Sequence, residues 1–272
     1  MADPDRTQFL RSQGKRLVVW LVALSIVALT IAGLFLSSPY QGPASTADRL
    51  DATEGLSVNS VDGGYVVEPA GESEAGLVFY PGARVAPNAY LDSLAPLARE
   101  ANVTVVVPQM PLNLAIVDYG LARTPLAADA ATEAMAARPG IDRWYVGGHS
   151  LGGVVACRYA EGNTDRVDGV VLYASYCDRD ISGSGLAVLS VVGTGDTVLD
   201  RAAYRRSLDR LPADATTAEL AGVNHTQFGS YTGQRGDTPT GTSYSVAHAR
   251  LNGVAVAWFE AELDARSARL RP

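Results

Sequence analysis

Ser150 sits in Gly147-Gly148-His149-Ser150-Leu151-Gly152-Gly153, which contains a Gly-x-Ser-x-Gly pattern. A serine hydroxyl is a weak nucleophile near neutral pH. To attack a carbonyl it needs a base that takes its proton and an acid that orients the base. The chain has three histidines. His225, in Gly222-Val223-Asn224-His225-Thr226-Gln227-Phe228, follows the last predicted strand and is the expected base. His149 is the variable residue of the serine pattern, and its side chain is expected to point away from Ser150. His248 falls in the terminal helix, as a surface or satisfied polar residue. The expected acid is Asp196, in Ser190-Val191-Val192-Gly193-Thr194-Gly195-Asp196, with Asp200 in reserve and Asp178 or Asp180 weaker. Aspartate in a glycine turn also serves as a plain turn cap, so Asp196 carries both readings.

The chemistry further requires backbone N–H groups aimed at the developing oxyanion. One should come from Leu151, directly after the nucleophile. The other should come from the loop Pro81-Gly82-Ala83-Arg84, where Ala83 is the expected donor. Arg84 either projects into the pocket toward a substrate anion or is a solvated loop residue. Met110, Leu112 and Tyr176 are candidate pocket walls. No cluster of His, Cys or carboxylates has ligand spacing, so no metal is expected, and no cofactor fingerprint is present.

These residues need a scaffold that turns sharply at Ser150. Arg143 to Gly153 reads as a buried strand, a tight turn with serine at its apex, and a glycine-rich helix start. Leu56–Val58 and Tyr65–Glu68, around Asp62-Gly63-Gly64, predict a hairpin. Further strands are predicted at Gly76–Tyr80, Val103–Val107, Trp144–Gly147, Gly169–Ala174, Ala187–Val192 and Thr216–Ala221. Helices are predicted at about Asn88–Glu100 (kinked or restarted at Pro96), Ala127–Ala137, Gly152–Gly162 and Ser245–Ala265. Apolar strands alternating with helices imply an α/β fold, a mostly parallel twisted sheet covered by helices on both faces. Residues after the strands then meet at the sheet's C-terminal edge. Connections there are short, and only Asp178–Gly185 could be an inserted lid.

Ahead of this domain, Leu17 to Leu36 is twenty residues without charge. At 1.5 Å per residue it spans the roughly 30 Å core of a bilayer. Arg11, Lys15 and Arg16 precede it, which puts residues 1–16 in the cytoplasm and the rest outside. A cleaved signal peptide is the competing reading, with a poor site at Gly42-Pro43-Ala44 and an apolar run longer than such peptides use. Residues 37–54, rich in Pro, Ser, Gly, Ala and Thr, read as a linker, and 55–272 as one soluble domain.

The net charge is −7, and the part beyond the basic N-terminus is near −9. An acidic domain argues against nucleic acid as a partner. The partners expected are a small-molecule ester and, through the N-terminal helix, the membrane. Cys157 and Cys177 would face an oxidising exterior. Their expected positions, two turns down a helix and just past a strand end, do not obviously meet, so buried thiols are expected.

Ser150, Asp196 and His225, in that chain order, resemble the triad of the α/β-hydrolase superfamily. Phe79–Ala83 (FYPGA), Val107–Ala115 (VPQMPLNLA), Gly147–Gly153 (GGHSLGG) and Asn224–Gly229 (NHTQFG) together resemble a small lidless hydrolase group related to dienelactone hydrolases. The similarity covers about Ala75 to Glu260. It implies an α/β-hydrolase fold and a serine hydrolase activity. Dienelactone hydrolases use a cysteine nucleophile, so serine at 150 departs from them. Three functions fit: a membrane-anchored extracytoplasmic esterase, an acyltransferase on the same three residues, and a non-catalytic binding protein on a hydrolase fold. An intact set of three residues disfavours the last.

Overall fold

The computed structural model describes residues 4–114 and 130–269, in two compact units, Met1–Pro39 and Tyr40–Pro272. The first unit is a single helix, α1 (Pro4–Leu36). Within it Lys15–Phe35 is long and apolar enough to cross a membrane.

The second unit begins earlier than composition suggests. The stretch 37–54, expected as a linker, carries helix α2 (Thr46–Asp51), whose Leu50 and Thr46 are buried. Tyr40 forms a parallel bridge with Val85, and Gly42 exchanges hydrogen bonds with Asn88. Low apolar density hid this segment, because polar bonds to Asn88 and Asp92 and one core leucine fasten it.

Strands β1 (Leu56–Val61) and β2 (Gly64–Pro69) form the predicted hairpin. Asp62 and Gly63 both take positive φ (49° and 80°), the signature of a tight two-residue turn. There follow β3 (Ala75–Tyr80), α3 (Leu91–Ala101), β4 (Val103–Val107), α4 (Ala130–Ala136), β5 (Trp144–His149), α5 (Leu151–Gly162), β6 (Gly169–Tyr173), β7 (Ala187–Gly193), α6 (Arg201–Ser207), β8 (Thr216–Leu220) and α7 (Tyr244–Arg269). Pro96 lies inside a continuous α3. Positions 127–129 of the predicted alanine-rich helix, and Ala115, fall outside the described residues.

The eight strands form one sheet in the order β1-β2-β4-β3-β5-β6-β7-β8. The β1–β2 and β2–β4 pairs are antiparallel and all the others parallel. Alternation along each strand divides the core in two. Leu77, Phe79, Val105, Tyr145, Val171 and Leu189 face α3 and α7, while Val78, Tyr80, Val146, Val170, Leu172 and Val188 face α5. The central strands β3 to β6 are buried at every position, as a sheet covered on both faces requires.

The cysteines depart from expectation. Cys157 and Cys177 form a disulfide, with Cα atoms 5.5 Å apart. After β6 the chain turns back along α5. Ser175 Oγ donates to the Ser150 carbonyl at the start of that helix, and Asp178 pairs with Arg158, one residue past Cys157. Strand ends alone gave no sign of this return path.

Candidate active site

The turn between β5 and α5 is built by steric exclusion. A Cβ on Gly148 would lie 2.4 Å from the Gly152 carbonyl carbon, and one on Gly152 would lie 2.1 Å from the Tyr80 oxygen. Only glycine lets strand, helix start and the end of β3 come this close. Between them Ser150 is held at φ 54°, ψ −123°, a conformation a serine adopts only when its surroundings impose it. Its N–H donates to Tyr173 O and its C=O accepts from Ser175 Oγ, so both backbone groups are fixed by β6 and the loop after it.

Asp196 and His225 meet. Asp196 Oδ2 lies 2.8 Å from His225 Nδ1, and both side chains are buried. Asp196 Oδ1 accepts from the N–H groups of Val198 and Leu199, so the same carboxylate caps its own turn. Burial opposes its charge, but the His225 hydrogen bond and charge, with those two N–H groups, hold the carboxyl below its ordinary value. His225 opens a 3-10 turn, His225–Phe228, and its Nε2 is buried without a hydrogen-bond partner among the described residues. Its ring centroid is 4.5 Å from that of His149, the residue before Ser150. The structure therefore brings the predicted base and acid together and sets the base against the elbow.

The reserve acids have other tasks. Asp200 caps α6 through the N–H groups of Ala202 and Ala203. Asp178 takes Arg158 in a two-pronged ion pair, and Asp180 accepts from Ser182.

The expected oxyanion donors lie at the start of α5 and in the loop after β3. Leu151 is the first residue of α5, where the helix end concentrates positive potential. Neither its N–H nor that of Ala83 meets an acceptor among the described residues. Gly82, beside Ala83, lies against His149 and Tyr90. Its own N–H donates to Tyr90 Oη (2.9 Å), which lies 3.0 Å from His149 Nδ1. His149 is thus a buried ring under the base, flanked by Phe228 and Tyr231. Burial, then the neighbouring His225 charge, lowers its pKa well below the usual value and keeps it neutral. His248 is buried rather than superficial, satisfied by the Gly229 carbonyl at 2.9 Å.

The candidate pocket residues scatter. The Arg84 guanidinium lies over the Tyr40 ring, 5.2 Å from its centroid. Met110 is a core residue on the α5 face and borders a cavity of about 360 Å³ with Tyr65, Val66, Ala134 and Arg138, a lining that does not include Ser150. Leu112 is exposed, at φ 52°. Tyr176, half-buried, follows Ser175 on the return path along α5. Sequence reading passed over Tyr90 and Ser175, whose roles depend on contacts across 59 and 25 residues.

The model of the alpha/beta hydrolase family matches residues 76–248. No curated protein matches the sequence. Similar folds occur in an S-formylglutathione hydrolase from Agrobacterium tumefaciens (14% identity, TM-score 0.52, 76% of this chain and 99% of that one). They occur also in a hormone-sensitive lipase from a metagenome library (15%, 0.52, 80% and 91%) and in a bacterial membrane phospholipase A (16%, 0.50, 89% and 99%). At these identities the likeness is one of fold.

Proposed function

The chain belongs to the alpha/beta hydrolase family, and from that premise we propose that it is a membrane-anchored serine hydrolase cleaving carboxylic esters outside the cytoplasm. The observation that carries this reading is the buried Asp196–His225 pair, with the His225 ring packed on His149, the residue before Ser150 at the apex of a strained elbow. His225 takes the Ser150 proton as the hydroxyl attacks the ester carbonyl, and Asp196 holds the imidazole through Nδ1. The Leu151 and Ala83 N–H groups receive the oxyanion. The alcohol leaves with a proton from His225, and water activated by the same imidazole then hydrolyses the acyl-serine. The disulfide supports an extracytoplasmic domain, because such bonds persist in oxidising compartments. The basic residues ahead of the apolar helix support the same orientation.

A fluorophosphonate probe tests the nucleophile. Labelling of the wild type and none of Ser150→Ala is expected, with a fall in kcat of about 10⁴-fold or more on p-nitrophenyl esters. A folded wild type that does not label would sink the assignment. Repeating the ester assay with an added alcohol or amine acceptor separates hydrolysis from acyl transfer.

A further inference from the structure

The turn that carries His225 begins with N–H groups that no helix can satisfy. Asn224 and Gln227 satisfy two of them reciprocally: Asn224 Oδ1 accepts from Gln227 N, and Gln227 Oε1 accepts from Asn224 N. The other two, on His225 and Thr226, are taken by a residue twelve positions further on. Asp237 Oδ1 lies 3.2 Å from His225 N, and Oδ2 lies 2.9 Å from Thr226 N. One carboxylate thus grips the main chain of the predicted base with one oxygen and that of the next residue with the other. Charge-assisted bonds of this kind are the strong ones.

Asp237 sits in a segment, 232–243, that touches both halves of the pair. On the acid side, Thr197, the neighbour of Asp196, donates through Oγ1 to Gly236 O (2.7 Å) and accepts from Thr238 N (3.0 Å). On the base side, Asn224 Nδ2 donates to Thr238 O and Gln227 Nε2 to Thr242 O. Thr232, Gly233, Arg235, Gly236, Thr238, Pro239 and Thr240 are exposed, so apolar packing holds little of the segment. Polar bonds fix it instead, and Asp237 supplies the two that reach the first two residues of the His225 turn.

We propose that Asp237 is a positioning residue for the hydrolytic site, with segment 232–243 a strap that sets the Asp196 loop and the His225 turn at their working separation. It acts through the backbone of His225 and touches no substrate. The proposal rests on the serine hydrolase reading for its kinetic consequence, but its structural content stands alone. A misplacement of about 1 Å at a reacting group costs about 10²-fold in rate.

The test uses the full chain in detergent. Asp237→Ala should lower kcat on p-nitrophenyl acetate about 10²-fold, slow fluorophosphonate labelling in proportion, and leave KM within about threefold. Arg235→Ala, on the same exposed strap, should match wild type. In the proton spectrum, the downfield resonance of the His225 Nδ1–H facing Asp196 should shift or broaden in Asp237→Ala. Should that variant not fold, Asp237→Asn, which keeps the shape and one acceptor oxygen, should show an intermediate loss. Wild-type kcat in the folded variant, or a change confined to KM, overturns the proposal. If the wild type itself neither labels nor turns over, the hydrolase reading fails, and the imidazole resonance decides on the strap: unchanged in Asp237→Ala, it rejects the proposal.

Discussion

Asp196 divides its oxygens between two tasks, capping its own turn with one and holding His225 with the other. The turn cap read from the sequence and the contact with the predicted base are thus both made by one side chain. His149 is the opposite case, a titratable ring whose burial opposes its protonation. In the unfolded chain its pKa is near the ordinary value of about 6.5. In the folded protein burial, and then His225, depress it well below that. Below about pH 6.5 the unfolded chain therefore binds a proton that the folded one refuses. The stability from a neutral His149 is complete above that pH and is lost as pH falls toward the folded value. His248, also depressed by burial, acts in the same direction. Asp196 contributes in a lower window, beneath the ordinary carboxyl range near pH 4, where its depressed pKa makes stability fall with further acidification. We expect urea midpoints to drop from pH 7.5 to 5.5, with a limiting slope of about 1.4 kcal/mol per pH unit for each histidine. His149→Gln should flatten this slope whatever it does to absolute stability. A wild-type stability that does not change between those pH values would contradict a neutral, buried His149.

Among the elements, α5 bears the most constraint. Its first turn is squeezed against β3 by glycine, and its second is tied to the segment after β6 by a disulfide and a two-pronged ion pair. The disulfide closes a loop of 20 residues, which in the chain-entropy account stabilises by about 3 kcal/mol. The ion pair is partly exposed and adds less, about 1 kcal/mol at most. A Cys157→Ala, Cys177→Ala double variant should lose most of that 3 kcal/mol in chemical denaturation, and dithiothreitol should lower the wild-type midpoint but not the variant's. Equal midpoints in wild type and variant would show the bond to be structurally idle. The sheet, the turn at Ser150 and the placing of Asp196 and His225 on neighbouring loops were legible because each depends on local signals: β-branched runs, glycine spacing, strand-end positions. The disulfide was not, since it depends on the path of a loop that carries no periodicity. For the same reason Tyr90 and Asp237 were invisible, one acting across the sheet edge and the other from an exposed, polar strap. Helix α2 escaped because its composition is that of a linker, and a single core leucine, Leu50, with polar bonds from Thr46 and Arg49 to Asp92, holds it.

At the scale of the molecule, the location proposed above rests on charge distribution and covalent chemistry. The positive charges at Arg6, Arg11, Lys15 and Arg16 all precede the apolar run, and the remainder carries a net charge near −9. Insertion with that run as an anchor leaves the basic end in the cytoplasm. The cysteines give an independent check, since a cytoplasmic domain would sit in a pool that keeps thiols reduced. Three outcomes are then expected together in cells producing the full chain with a tag at each end. Both tags stay in the membrane fraction after alkaline washing. Protease added to intact spheroplasts removes the C-terminal tag and spares the N-terminal one. A membrane-impermeant maleimide labels the folded protein only after reduction, because its two cysteines are bonded to each other. A soluble product lacking the N-terminal tag would mean that the apolar run is a cleaved signal, leaving the hydrolase reading intact but removing the anchor. A protected C-terminal tag with reactive thiols would instead reverse the topology, and the site would then act on esters inside the cell.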